Sequence, residues 1–113
     1  MEDHRTLLCR LLDGVEEELR RLALWSDEQP PPRALRSTLP FCVDTLAFTQ
    51  WLQWILLPQL RQLLALDAPL PGACAIAPMA EHTFRDLPLD TARLQRLLLA
   101  IDRVITTHRA QVH

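Results

Sequence analysis

The stretch from Asp44 to Leu66, DTLAFTQWLQWILLPQLRQLLAL, decides how this chain folds. Leu46, Phe48, Trp51, Leu52, Trp54, Ile55, Leu56, Leu57, Leu60, Leu63 and Leu64 leave almost no side of a helix polar. A helix apolar on nearly every side is contacted from several directions, so this segment reads as the central helix of a helical protein. Asp44 is placed to cap it by accepting a hydrogen bond from a free amide of the first turn. Val43 and Phe48 stand at the two positions of a hydrophobic staple. Pro58 lies inside the segment and cannot donate to the carbonyl of Trp54, so a kink is expected there. On a helical wheel Gln50, Gln53, Leu57 and Arg61 share the least apolar arc. Leu57 is therefore expected to be exposed, on a face that meets another surface.

Outward from this segment, Asp3 to Trp25 carries Leu8, Leu11, Leu12, Val15, Leu19 and Leu22 at steps of three and four, one helical stripe. Glu16–Arg20 and Glu17–Arg21 are acid-before-base pairs at i, i+4. Glu16 to Glu18 read as an ordinary exposed turn, and Gly14 costs the helix roughly 1 kcal/mol relative to alanine. Pro30, Pro31 and Pro32 favour an extended, stiff connection up to about Ser37. Asp67 to Pro78, with prolines at 69 and 71 and Gly72, reads as an extended apolar loop. Pro78 is suited to start a short helix through about Arg85. Pro88 and Asp90 open the last long helix, whose stripe is Leu94, Leu97, Leu98, Ile101, Val104, Ile105 and His108. The expected architecture is all-α: a compact bundle of three long helices and one short one, a single domain over residues 1–113.

Composition narrows the function classes. A chain of 113 residues buries roughly 65% of its unfolded surface, enough for a core without metal or disulfide. A net charge of −2 argues against strong non-specific nucleic-acid binding, which needs surplus cations. All 12 basic residues are arginine, so Schiff-base chemistry and a Walker lysine are excluded. Cys9, Cys42 and Cys74 form no CxxC pair and suit a reducing compartment. The run Thr45–Leu60 is too short and too polar to span a bilayer, and Met1–Thr6 lacks a signal-type apolar stretch. A cytoplasmic protein without a membrane segment is expected. Two glycines imply few left-handed turns.

The histidines His4, His82, His108 and His113 have no metal-ligand spacing, and no phosphate loop or nucleophile elbow is present. No catalytic residue, metal or cofactor is expected on these grounds. Glu81 and His82, beside Phe84, form the one carboxylate–imidazole neighbour pair in an apolar setting. Trp51 and Trp54 either fill the core or anchor a partner, since an indole offers a large apolar face and one donor. Arg93, Arg96 and Arg103 lie opposite the apolar stripe of the last helix. They either contact phosphates or form a solvated face, diluted by Asp90 and Asp102.

The residues Ser37-Thr38-Leu39-Pro40-Phe41, Asp44-Thr45-Leu46, Phe48, Gln50-Trp51-Leu52-Gln53-Trp54 and Pro58, with Pro69 to Glu81, resemble the YqcC-like family of small bacterial proteins. The family usually has an arginine after that proline, where this chain has Gln59. The resemblance implies a four-helix bundle and a link to RNA modification, because such genes often neighbour one for a tRNA pseudouridine synthase. Pseudouridine synthases resemble one another in a much larger mixed α/β fold, which this chain is too short to contain.

Three functional expectations follow. The first is a non-enzymatic interaction or accessory protein, using Gln50, Trp51, Gln53, Trp54, Leu57, Arg61, Leu70 and Ile76 against another protein or a second copy in a homodimer. The second is a tRNA-binding helper acting through Arg93, Arg96 and Arg103. The third is an enzyme with a site near Glu81 and His82.

Overall fold

In the computed structural model, residues 3–71 and 75–111 are described, and for 108–111 the backbone alone. The expected loop glycine Gly72, the thiol of Cys74 and the side chain of His108 lie outside the described residues.

The apolar stripes fold as helices. Helix α1 spans His4–Arg21, α2 Phe48–Trp51, α3 Leu57–Ala65, α4 Ile76–Phe84 and α5 Ala92–Gln111. A π turn over Leu52–Leu56 joins α2 to α3, with helical backbone angles at both junctions, so α2, the turn and α3 form one continuous rod. Two short 3₁₀ turns, Pro32–Arg36 and Pro40–Cys42, lie in the connection before the rod. The described residues contain no strand. Helix α1 packs along α5 and against α3, while α4 lies on α5. Leu8, Leu12, Val15 and Leu19 of α1 meet Leu52, Leu56, Leu57 and Leu60 of the rod, Ile76, Ala80 and Phe84 of α4, and Leu94, Leu98, Ile101 and Ile105 of α5 in one core. The radius of gyration, 14.0 Å, is near the ~13 Å of a compact chain this long.

Pro58 acts on hydrogen-bond register. The Leu57 amide donates to Leu52, five residues back, and the π turn widens the rod just before the proline ring. Asp44 does not cap this helix. Cys42 to Leu46 close a turn through bonds from the Thr45 and Leu46 amides to the Cys42 carbonyl, and Asp44 instead accepts from the Ser37 hydroxyl. The helix begins at Phe48, and Gln50 Oε1 accepts from the Ala47 amide at 2.8 Å. Val43 is 57% exposed and makes no staple.

The scarcity of glycine does not prevent left-handed backbone. Ala23, Phe41, Cys42 and Asp67 all have positive φ. Helix α1 ends in a Schellman motif, with Ala23 N–H on Arg20 O and Leu24 N–H on Leu19 O. Helix α3 ends the same way, Asp67 N–H on Leu64 O and Ala68 N–H on Leu63 O. Asp67 also pairs with Arg5 at 3.3 Å, tying that cap to α1.

Packing gives Gly14 a role and corrects the reading of the charged residues around it. Gly14 is buried where α1 crosses α5, and a Cβ there would stand 3.2 Å from a Leu97 methyl, so the residue allows close approach. Glu18 is fully buried, not part of an exposed turn. Arg21 pairs with Glu18 at 2.9 Å rather than with Glu17, and Arg93 reaches across from α5 to Glu18 at 3.0 Å and Glu17 at 3.4 Å. Asp102 is buried too: its oxygens accept from the Ile76 and Ala77 amides at 2.9 and 2.8 Å. A carboxylate on α5 thereby caps α4, whose own N-cap residue, Ala75, has no acceptor side chain.

Candidate functional site: a groove between the first helix and the tryptophan rod

The arc expected to face outward is largely covered by α1 and its following loop. Leu57 is 1% exposed and Gln53 is 5% exposed, because α1 packs on this side of the rod. Gln53 pairs with the Ser26 peptide in both directions. Its Oε1 accepts from Ser26 N–H at 2.8 Å and its Nε2 donates to Ser26 O at 2.6 Å. Gln50 is occupied as a helix cap, as described above. Trp51 packs on the core side, 4.8 Å edge-on to Phe41 and stacked on Phe48 at 5.9 Å between centroids. Leu70 packs against the core and Ile76 is buried within it, so Leu57 and Ile76 cannot present an outer surface.

What remains open is a groove of about 490 Å³ between the C-terminal half of α1, the Trp25–Asp27 loop and the rod. Its open apolar walls are Trp25, Trp54 and Pro58. Ala23 directs the chain here, since its left-handed cap turns the backbone after α1 back towards the rod and Gln53 then holds Ser26. The Arg20 guanidinium lies over the Trp25 ring at 4.5 Å, a cation–π contact. The Trp54 indole N–H is shielded and has no acceptor among the described residues.

Glu16 bridges the two guanidiniums of the groove, Arg20 at 3.0 Å and Arg61 at 2.8 Å, and Arg61 also holds Asp13 at 3.1 Å. The Arg61 hydrogen bond holds the Glu16 carboxyl below its ordinary range, with Arg20 adding to it against the effect of burial. Glu18 is lowered in the same way, first by Arg21 and then by Arg93. The groove continues into a shallower one lined by Asp13, Glu16, Glu17, Arg20 and Arg61.

The other candidates are not brought together. Arg93 spends its guanidinium on Glu17 and Glu18. Arg96 borders a cavity of about 290 Å³ between α4 and α5 with Ala77, Pro78, Glu81, Gln95 and Leu99, and Arg103 is exposed elsewhere on α5. Glu81 and His82 are both exposed, and Glu81 borders that cavity without His82. Among the described residues no three His, Cys, Asp or Glu side chains gather as metal ligands, and no helix is long and apolar enough to cross a membrane. The groove residues Glu16, Arg20, Trp25 and Asp27 escaped sequence reasoning. They come from a different segment than Trp54, and nothing local in either segment signals their meeting.

Comparison with known proteins places this bundle. The family DUF446, described as "tRNA pseudouridine synthase C", matches residues 7–104. Uncharacterized protein YqcC of Escherichia coli is 39% identical over 88 residues, covering 78% of this chain and 76% of that protein. An uncharacterized protein of Haemophilus influenzae is 32% identical over 87 residues, 77% of this chain and 78% of its own. A protein named tRNA pseudouridine synthase C from Pectobacterium carotovorum is 39% identical over 60 residues, 53% of this chain but 16% of that protein. The solution NMR structure of E. coli YqcC superposes with a TM-score of 0.79 at 33% identity, covering 93% of this chain and 90% of that one. The chain belongs to the YqcC-like family, DUF446.

Proposed function

We propose that this protein is a non-enzymatic accessory protein of the cytoplasm that binds a tRNA-modifying enzyme through the groove between α1 and the tryptophan rod. The observation that carries the reading is the groove itself: two indoles and a proline form an open apolar wall. Half-exposed tryptophans flanked by arginine are characteristic anchors of protein interfaces. The choice of partner class is supported by the segment matched within a much larger protein named tRNA pseudouridine synthase C, and by the family's description. The thiols of Cys9 and Cys42 are free, which suits a reducing compartment.

The test is a calorimetric titration of the purified chain with the tRNA pseudouridine synthase C of the same organism. Binding near one to one is expected, and it should weaken at least tenfold with Trp54→Ala, the loss of one central anchor residue of about 1.4 kcal/mol or more. Absence of heat and of co-elution at tens of micromolar would refute the partner. Binding untouched by groove substitutions would refute the surface. The alternative of a tRNA-binding face is less favoured, because Arg93 is already engaged by two glutamates.

A further inference from the structure

We infer that α4 is a detachable element of the bundle: it opens as a unit while α1, the rod and α5 stay folded, and the Asp102 carboxylate is the catch that holds it closed. The helices are unevenly tied. Helix α1 and its following loop are joined to the rod by Arg61 on Asp13 and Glu16, by Gln53 on the Ser26 peptide, and by Arg5 on Asp67 and the Ala68 carbonyl. Arg93 joins α5 to Glu17 and Glu18 of α1. Helix α4 has no such spread of ties. It packs chiefly on α5, and among the described residues one side chain, Asp102, supplies the hydrogen bonds that hold it there, from the Ile76 and Ala77 amides at 2.9 and 2.8 Å.

Helix α4 is also poorly able to stand by itself. Its 9 residues fall short of the ~12–15 at which an isolated helix becomes even marginal in water. Ala75 at its N-cap offers no acceptor, so without Asp102 its first amides are left to water. Its buried apolar side chains are Ile76, Ala80 and Phe84, the last edge-on to Phe48 at 5.7 Å between centroids. The seam with α5 is incompletely filled. The cavity of about 290 Å³ runs between Ala77, Pro78 and Glu81 on one side and Gln95, Arg96 and Leu99 on the other, and side chains facing open space lose the contacts that packing supplies. While α4 is seated, carboxylate and helix N-terminus satisfy each other away from water through charge-assisted bonds. Opening returns both to solvent and bares Phe48 and the apolar face of α5, which the closed bundle conceals. Sub-global openings of this kind involve units with few ties to their neighbours.

The experiment is native-state hydrogen exchange of the full chain, followed by ¹H–¹⁵N NMR at a series of low urea concentrations. The amides of residues 80–84 should be at least tenfold less protected than the most protected amides of α1 and α5. Their exchange should also depend less on urea, because opening α4 exposes less surface than global unfolding. Asp102→Asn keeps the side-chain volume and leaves one acceptor of two, and it should speed α4 exchange about tenfold. Gln53→Leu removes bonds that stay made while α4 is open, so it should leave α4 exchange unchanged. Protection and urea dependence in α4 equal to those of α1 and α5 would show that α4 opens only with the whole bundle, and the inference falls. Acceleration of α4 exchange by Gln53→Leu to the same extent as in α1 and α5 overturns it equally. Faster α4 exchange that Asp102→Asn leaves unaltered removes Asp102 as the catch.

Discussion

Replacing Gln53 with leucine tests whether this residue is structural rather than part of a binding face. Its side-chain amide makes two hydrogen bonds to one peptide unit, at 2.8 and 2.6 Å from Ser26 N and O, and it is nearly buried. Leucine keeps the volume and removes both partners, so the Ser26 N–H and C=O lose their bonds in a part-buried position. Water can reach part of that site, which holds the cost to roughly 1–1.5 kcal/mol per bond, about 2–3 kcal/mol in all. For a chain of this size that is a fall in Tm of roughly 10 °C. Urea denaturation followed by circular dichroism measures it, with an unchanged slope expected because the folded core is the same. Gln53→Glu adds a sharper readout. At neutral pH its carboxylate would accept from Ser26 N–H but face the Ser26 carbonyl without a proton to donate. Burial and that carbonyl raise its folded-state pKa above the unfolded value, so the variant should recover relative to the parent protein as pH falls through the raised value. A Gln53→Leu loss below about 0.5 kcal/mol, or a Gln53→Glu deficit independent of pH, would show that these bonds do not hold the Trp25–Asp27 loop.

Three other outcomes are expected. Ala23→Gly should stabilise the protein by about 1 kcal/mol, because Ala23 occupies a left-handed cap without glycine's freedom; a lower Tm would contradict the Schellman reading. Gly14→Val should destabilise by about 2 kcal/mol or more, since even a single Cβ would stand 3.2 Å from Leu97, whereas Gly14→Ala should be nearly neutral as helix propensity offsets that contact; thermal melts distinguish the two. Glu16 and Glu18 have folded-state pKa values below the ordinary 4.5, so their contribution is complete above that pH and is lost as pH falls through the lower folded values. Denaturant titrations should therefore show stability falling below about pH 4.5, and Glu18→Gln should flatten that fall; an identical acid slope in the variant would remove Glu18 as its source.

The positions of the long helices were legible because apolar periodicity is local. The stripe on α5, Leu94, Leu98, Ile101 and Ile105, is buried as its spacing requires, and α1 likewise buries Leu8, Leu12, Val15 and Leu19. The rod was recognisable from its apolar composition, and Pro58 marked where its hydrogen bonding changes. The outward face was misjudged because Leu57 stands on the most polar arc of the rod, the side on which α1 packs. Gln53 and Arg61 share that arc and both are engaged within the chain: one holds a loop 27 residues away, and the other binds acids on α1.

By itself the sequence determined an all-helical core of leucine-rich stripes, the helix boundaries to within a few residues, and membership of a recognisable family. Only the tertiary structure decided which polar groups lie inside: Glu18 between two arginines, Asp102 capping a helix 26 positions before it, and Gln53 on the Ser26 peptide. It alone brought Trp25 and Trp54 to one groove. The physical reason is range. Helix formation and amphipathicity depend on neighbours three and four residues away, whereas a buried charge or amide depends on a partner that only packing supplies.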